Sequence, residues 1–386
     1  MATILSIATK VPPYPVAQQE AKKFVHQLLI QSNPEMERLL RVFDTGEIQR
    51  RFFSAPLPWF AERRTWQEKN DRYVQWAIRL SVEAIEECLT SPCFLQQPIP
   101  YDSIDAIFFI SSTGVATPTI DAKIMNQLPF SLHTKRIPLW GLGCAGGASG
   151  LARAFEYCQA YPMANVLVVC VELCSLTFQG SDLNKSNVVG TSLFADGVAV
   201  ALVAGEASPL QKAKMRSYYP AVTATQSVFL RDGEDIMGWR ISDNGFHVIF
   251  ARSIPTLIQQ WLPLHLHQFF HYQGLSVEHV DYWIVHPGGR KVLEAYAQAF
   301  GVEESSLRIA RQILQRFGNM SSATILFVLQ ETMLQATKPG VGIGLALGPG
   351  FSAEFLLLEW TAANTMGFKC NEQRNDLPST QVVMKG

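Results

Sequence analysis

Short apolar runs recur along the chain between polar segments: "DAIFFISS" at 105–112, "NVLVVCVE" at 165–172, "GVAVALVAG" at 197–205, "VDYWIVH" at 280–286 and "GIGLALG" at 342–348. β-branched and aromatic residues fill them, which predicts buried strands. Between them, residues 71–88, 145–161, 253–272 and 319–335 carry the period of a helix. That alternation predicts an α/β fold built in layers. The opening "MATILSIATKVPPY" has no basic start and no small-residue cleavage site, so it reads as a first strand and not as a signal peptide. Beyond Trp360 the periodicity fades, and 363–386 are expected to form a loosely ordered tail.

The pattern also repeats. "IDAIFFI" at 104–110 resembles "VDYWIVH" at 280–286, and "GCAGGA" at 143–148 resembles "GNMSSA" at 318–323. The aspartates at 105 and 281 are 176 residues apart, and Cys144 and Asn319 are 175 apart. Two local matches at nearly one offset predict a duplicated α/β half. The join falls near 206–222, with an N-terminal half over 1–210 and a C-terminal half over 211–362. Pseudo-symmetric halves packed face to face would bring equivalent loops together at the midline. Those loops carry Cys144 in one half and His286 and Asn319 in the other.

Composition narrows the classes of function. With 386 residues, 48% hydrophobic and 17% charged, the chain has material for one large core or two medium ones. A formal net charge of −1, with lysines and arginines scattered, gives no field for nucleic acid. The longest apolar stretch, "NVLVVCVELCSLTF", contains polar residues and is too short to span a bilayer. A cytoplasmic protein with reduced thiols is expected, since the seven cysteines show no paired C-x-x-C spacing. Neither that spacing nor any other motif points to a metal, and the glycines of "GVGIGLALG" suit a packed strand better than a dinucleotide loop.

Cys144 lies in "GLGCAGGASG", where backbone and substrate can both come close. A helical segment follows it, so it sits at a helix N-terminus, which favours a thiolate. His286, in "VHPGGRK", ends a strand beside a cleft, and as imidazolium it would pair with that thiolate. The other histidines, His247 among them, read as ordinary surface or core residues. Asn319 alone would be an N-cap; its register opposite Cys144 makes it a second donor. His286 and Asn319 together suit the stabilisation of a thioester oxyanion or enolate, with no catalytic carboxylate. An enolate made by loss of CO2 needs no strong base, which is the logic of decarboxylative Claisen condensation.

"GCAGGASG", "WIVHPGG", "FGNMSSATILFVL" and "LGPGFSAE" resemble, in order and at compatible spacing, the type III polyketide synthases, the chalcone synthase-like branch of the thiolase fold. The resemblance runs from about residue 3 to residue 360. It implies duplicated halves in an αβαβα arrangement, a homodimer, and acyl-CoA and malonyl-CoA as substrates with no resident cofactor. It implies that Cys144 holds the growing chain while His286 and Asn319 drive decarboxylation. Phe194 and Phe246 match two gate phenylalanines. Arg38 and Arg41 match contacts to CoA phosphates, a third such position being Thr45, and Gly288 and Gly289 border the same tunnel. Thr177, Ser321 and the loop Gly348-Pro349-Gly350 match the wall of the cyclisation cavity, and Thr117 matches a position reaching into the partner's cavity. Where the family has a wall threonine, this chain has Cys174, a smaller residue that would open the cavity floor. "VELCSLTFQ" and "MGWRISDNGFH" resemble bacterial members that make alkylpyrones and alkylresorcinols from long-chain fatty acyl starters.

The alternatives are a β-ketoacyl carrier-protein synthase of the initiating kind, a papain-like protease and a noncatalytic member of the fold. The Gly-Pro-Gly loop and the gate phenylalanines favour the polyketide synthase over the first. The protease lacks support in the surroundings of the cysteine.

Overall fold

The computed structural model describes residues 1–30, 34–180, 182 and 184–363. The expected tail therefore lies, after residue 363, outside the described residues. In chain order the first half holds β1 (Ala2–Lys10), β2 (Tyr14–Ala17), α1 (Gln18–Val25), α2 (Arg41–Thr45), β3 (Arg50–Phe53), α3 (Leu57–Ala61) and α4 (Trp66–Thr90). It continues with β4 (Ala106–Ser111), α5 (Ile120–Met125), β5 (Lys135–Trp140), α6 (Gly146–Ala160), β6 (Asn165–Leu173), α7 (Lys185–Leu193) and β7 (Asp196–Gly205). The second half holds β8 (Tyr218–Phe229), β9 (Met237–Ser242), β10 (Gly245–Phe250), α8 (Ile254–Gln273), β11 (Val280–Val285) and α9 (Arg290–Phe300). It ends with α10 (Arg308–Phe317), α11 (Thr324–Gln335), β12 (Gly340–Gly348) and β13 (Ser352–Ala362).

A nine-stranded sheet runs β11-β12-β13-β8-β1-β7-β6-β4-β5. Outward from the contact of β8 with β1, both sides follow one plan once the edge strand β5 is set aside: β1, β7, β6, β4 on one side and β8, β13, β12, β11 on the other. Pair directions agree as well, with β4–β6 and β11–β12 parallel and β6–β7, β12–β13, β1–β7 and β8–β13 antiparallel. The offset read from the sequence is thus a real duplication. Only β5 has no counterpart among the described strands. Every residue of β6 and β7 is buried, as continuous apolar strands covered on both faces must be.

Helix α6 packs on β4, β6 and β7 of its own half and on β12 and β13 of the other, while α11 packs on β11, β1 and β7. The two helices form the middle of the layered stack. This position explains the small residues after Cys144. A Cβ at Gly147 would lie 2.2 Å from the carbonyl oxygen of Ser322, and one at Gly146 would lie 2.6 Å from Ile110. Larger side chains would hold the two halves apart.

Three boundaries differ from expectation. The helix predicted from 71 begins at Trp66, because Thr65 and Glu68 form a capping box: the Thr65 hydroxyl accepts from Glu68 N–H at 3.2 Å, and the Glu68 carboxylate accepts from Thr65 N–H at 2.8 Å. The helix predicted from 145 begins at Gly146, after a 3-10 turn at Gly143–Ala145. The helix predicted from 319 begins only at Thr324, because the Asn319 backbone is committed elsewhere. Its N–H donates to Leu193 O at 2.9 Å and its carbonyl accepts from Ala195 N–H at 2.8 Å. Asn319 is not an N-cap.

Gly147→Ala should destabilise the protein by about 1–3 kcal/mol, the usual size of an overpacking penalty. A denaturant midpoint equal to that of the wild type would show that the middle layer can spread without cost.

Candidate active site

Residues from both halves meet where α6 and α11 begin. Cys144 sits in the 3-10 turn before α6 and is 8% exposed. Gly143 takes φ +48°, and a Cβ there would lie 2.7 Å from Pro349, so the Gly348-Pro349-Gly350 turn packs on the cysteine loop. His286 follows β11 and is 2% exposed; its N–H donates to Leu345 O of β12 at 2.8 Å. Neither of its ring nitrogens has a protein partner.

Asn319 joins these pieces. Its Nδ2 donates to Gly288 O, two residues past His286, at 3.1 Å. Its Oδ1 accepts from Ser321 N–H at 2.8 Å and lies 4.0 Å from Cys144 Sγ. Through its backbone it flanks Phe194 in an isolated parallel bridge. The structure therefore brings Cys144, Asn319, Ser321, Phe194, the loop of His286 and the Gly-Pro-Gly turn together.

The expected thiolate–imidazolium pair is not what the structure holds. Burial pushes the Cys144 thiol up to about 12, against a downward pull from Ser321, and burial lowers His286 to about 3. Burial thus favours the neutral form of both groups. No hydrogen bond links them among the described contacts. A sequence carries the helix terminus but not the depth of burial, and here desolvation wins.

Cys174 begins a short 3-10 turn, Cys174–Thr177, and is 2% exposed. With Thr177, Phe24, Phe60, Phe194 and Trp239 it lines a small apolar cavity of about 50 Å³. Phe246, on β10, is 3% exposed. Trp239 of β9 stands between Phe194 and Phe246, its ring centroid 5.6 Å from the first and 6.2 Å from the second. The sequence analysis did not single out this tryptophan, although "MGWRISDNGFH" contains it.

A second cleft, of about 460 Å³, is bordered by Val42, Thr45, Gly288 and Gly289. Arg38 and Arg41 are exposed, yet neither lines it. Its cations are Lys185, Arg252, Arg290 and Lys291, and Arg290 is paired with Glu294 at 2.7 Å. These come from three separate segments, so no local run in the sequence announces them. Thr117 lies on an exposed loop and is not among the residues gathered around Cys144.

Two buried carboxylates also escaped the sequence reading. Glu172 accepts from Ser112 N–H at 3.1 Å and from the hydroxyls of Ser112, Thr113 and Ser322 at 3.0, 3.0 and 2.6 Å. Asp196 accepts from the N–H and hydroxyl groups of Ser54 and Ser175. Burial raises Glu172 to about 7 and Asp196 to about 6, although these donors pull the other way. A single acid in "NVLVVCVEL" was the available signal for Glu172. Among the described residues no three His, Cys, Asp or Glu side chains are grouped to hold a metal ion, and no helix is long and apolar enough to cross a membrane.

Duplicated halves in thiolase-like layers, meeting at a buried cysteine and asparagine, define the class as a thiolase-like acyltransferase. The profile of the N-terminal domain of chalcone and stilbene synthases matches residues 1–207, and that of their C-terminal domain matches 221–361. The chain belongs to this family, the type III polyketide synthases. It is 48% identical to a Bacillus subtilis (strain 168) protein provisionally named a chalcone synthase, over 93% of this chain and 99% of that one. It is 32% identical to the 1,3,6,8-tetrahydroxynaphthalene synthase of Streptomyces peucetius subsp. caesius, over 93% of each chain. It is 30% identical to an α-pyrone synthesis polyketide synthase-like protein of Mycobacterium tuberculosis, over 93% of this chain and 91% of that one. The crystal structure of 1,3,6,8-tetrahydroxynaphthalene synthase from Streptomyces coelicolor A3(2), a bacterial type III polyketide synthase, superposes with a TM-score of 0.85 at 25% identity, over 93% of this chain and 99% of that one.

The raised Glu172 fixes the sign of one pH dependence. An acid whose folded pKa lies above its ordinary 4.5 binds more protons when folded, so its contribution is full below about 4.5 and is lost as pH rises to about 7. Glu172→Gln cannot titrate, so the melting midpoint of the wild type minus that of the variant should shrink across that window and stay flat above it. A constant difference would mean that Glu172 is ionised throughout.

Proposed function

We infer that the protein loads a long-chain acyl group from acyl-CoA onto Cys144 and extends it with two or three malonyl-CoA units. Cyclisation then releases an alkylpyrone or an alkylresorcinol. The observation that carries this reading is Asn319, whose side chain bonds the loop of His286 and lies 4.0 Å from Cys144 Sγ. As substrate enters, the Cys144 proton passes to His286, the sulfur attacks the thioester carbonyl, and CoA departs with that proton. The N–H groups at the start of α6 offset part of the desolvation that opposes the thiolate. Malonyl-CoA then loses CO2, and its enolate oxygen is held by a His286 ring N–H and the second Nδ2 hydrogen of Asn319. A neutral imidazole suits this donor role. The enolate carbon attacks the Cys144 thioester, a C–C bond forms, and the thiolate is released for the next cycle.

The cavity beyond Cys174, walled by Phe24, Phe60 and Phe194, supports an apolar starter. The name of the M. tuberculosis relative supports an α-pyrone product. Lys185, Arg252 and Lys291 supply charge for the CoA phosphates that Thr45 does not, with Arg38 and Arg41 outside them. The substrates place the reaction in the cytoplasm. The halves over 1–210 and 211–362 divide the nucleophile from its two donors. A homodimer is supported by β5, which pairs with β4 on one side and, among the described strands, leaves its other edge free, with exposed Leu132 (96%) just before it and exposed Trp140 (50%) at its end. Thr117 is the residue that a second copy would present to its partner's cavity.

Purified protein incubated with labelled malonyl-CoA and acyl-CoA starters from C4 to C18 should yield pyrones or resorcinols from the long chains, read by mass spectrometry. Cys144→Ala should abolish them, and Cys174→Phe should shift the accepted starter towards shorter chains. No product from a protein whose Cys144 still alkylates would turn the assignment to a ketoacyl synthase fed by carrier protein. Asn319→Ala should slow malonyl decarboxylation by ~10²-fold or more, the usual loss on removing an oxyanion donor. An unchanged CO2 release rate would leave Asn319 a structural joint only.

A further inference from the structure

Away from Cys144, Ser242, His247 and Asp182 form a chain of hydrogen bonds. Ser242 Oγ lies 2.9 Å from His247 Nε2, and His247 Nδ1 lies 3.2 Å from Asp182 Oδ2. The order serine, Nε2, Nδ1, aspartate is that of a hydrolase triad. The surroundings argue against that use. Ser242 Oγ already accepts the N–H of Asn244 at 3.2 Å, and no pair of free donors is arranged around it as an oxyanion site.

The same contacts suit another task. β9 and β10 pair only with each other, and a two-stranded ribbon has little stability of its own. Its placement depends on tethers. His247 neighbours the gate residue Phe246, and Asp182 comes from the segment that leads from the Cys174–Thr177 cavity wall into α7. From that segment Gln179 Nε2 also donates to Asn244 O at 3.1 Å and to Phe246 O at 2.9 Å. Asn187 of α7 stiffens the segment, its Nδ2 donating to Gln179 O at 2.9 Å and to Asp182 O at 2.7 Å. Helix α7 runs on to Phe194, the other gate residue. One short segment therefore holds the cavity wall, the end of α7 and the ribbon in a fixed relation.

We propose that the Asp182–His247–Ser242 chain, with Gln179, is a latch that positions Phe246 against Trp66 and Trp239 and so sets which acyl starters reach Cys144. This rests on the function inferred above. His247 acts through Phe246 and is a positioning residue.

The test compares wild type, His247→Ala, Asp182→Asn and Ser242→Ala for modification of Cys144, read by intact mass. The probes are iodoacetamide, which is small, and acyl-CoA thioesters from C6 to C18 without malonyl-CoA; the steady-state KM and kcat of the wild type and variants follow with malonyl-CoA present. His247→Ala should lose about tenfold in the rate of acylation by long chains, the scale of one lost charge-assisted hydrogen bond, and should flatten the chain-length profile. The loss should appear in KM more than in kcat, and iodoacetamide should react as in the wild type. Asp182→Asn, whose amide oxygen still accepts from His247, should stay near the wild type. If His247→Ala does not fold, Ser242→Ala should show the same change of profile at smaller size. An unchanged acylation profile in folded His247→Ala, or in Ser242→Ala should it stand in, overturns the latch. So does a fluorophosphonate adduct on Ser242 that disappears in His247→Ala, which would restore the hydrolase. Acylation without later polyketide formation would count against the inferred function and leave the latch standing on its own measurement.

Discussion

Asn319 is the joint on which the site depends. Its backbone pairs with Leu193 and Ala195 on either side of Phe194, its side chain bonds Gly288 and Ser321, and Cys144 lies against its Oδ1. These partners come from three segments that the chain reaches at very different times. A single buried amide holds them in register because each of its bonds replaces water that cannot enter. Without it, Gly288 O and Ser321 N–H would be left unpaired in the interior, each costing about 1–3 kcal/mol. The early turn of the chain, before α11 starts at Thr324, follows from the same commitment. A helix beginning at Asn319 would take away the backbone groups that the joint uses.

Burial governs the electrostatics of what Asn319 assembles. Burial favours the neutral forms of Cys144 and His286, and Glu172 and Asp196 accept from hydroxyl and amide donors. Arg51, also buried, donates from Nη1 to the carbonyls of Thr191 and Phe194, and burial lowers it to about 9. It thereby ties down the end of α7. A site of this kind has few mobile charges to reorganise, and its donors can meet an enolate as the charge forms. The neutral imidazole is part of that design, since His286 offers a hydrogen bond without bringing a buried cation.

The duplication and the meeting of the loops that carry Cys144, His286 and Asn319 were legible because both rest on spacing. A shared offset of 175 to 176 residues reports equivalent loops whatever the side chains do, and the sheet order reproduces it strand by strand. Glycines 146 and 147 were legible as places of close approach for the same local reason. Properties that depend on depth or on distant segments were not. Glu172 looks in the sequence like one acid in an apolar strand, and only the fold delivers three serine and threonine side chains to it. The cations of the cleft are spread over residues 185, 252, 290 and 291, whereas the adjacent Arg38 and Arg41 drew attention by being local. Helix termini can be read from a sequence, but the desolvation that outweighs them at Cys144 cannot.

The molecule divides its work by rigidity. Cys144, the loop of His286 and Asn319 stand before α6, after β11 and before α11, beside strands β4, β6 and β7 that are wholly buried. The gate stands partly on a ribbon of two strands, with Trp239 as the ring shared by both phenylalanines. Among the described strands that ribbon shares no ladder with the main sheet, and it is held by the packing of β10 on α7, by Phe246 against Trp66 and Trp239, and by side-chain bonds from Gln179 and Asp182. Selectivity can therefore change without disturbing the joint at Asn319. Gln179 donates to the carbonyls of Asn244 and Phe246 on the ribbon, and its own carbonyl accepts from Asn187 of α7, which ends beside Asn319, so α7 links the ribbon to the joint.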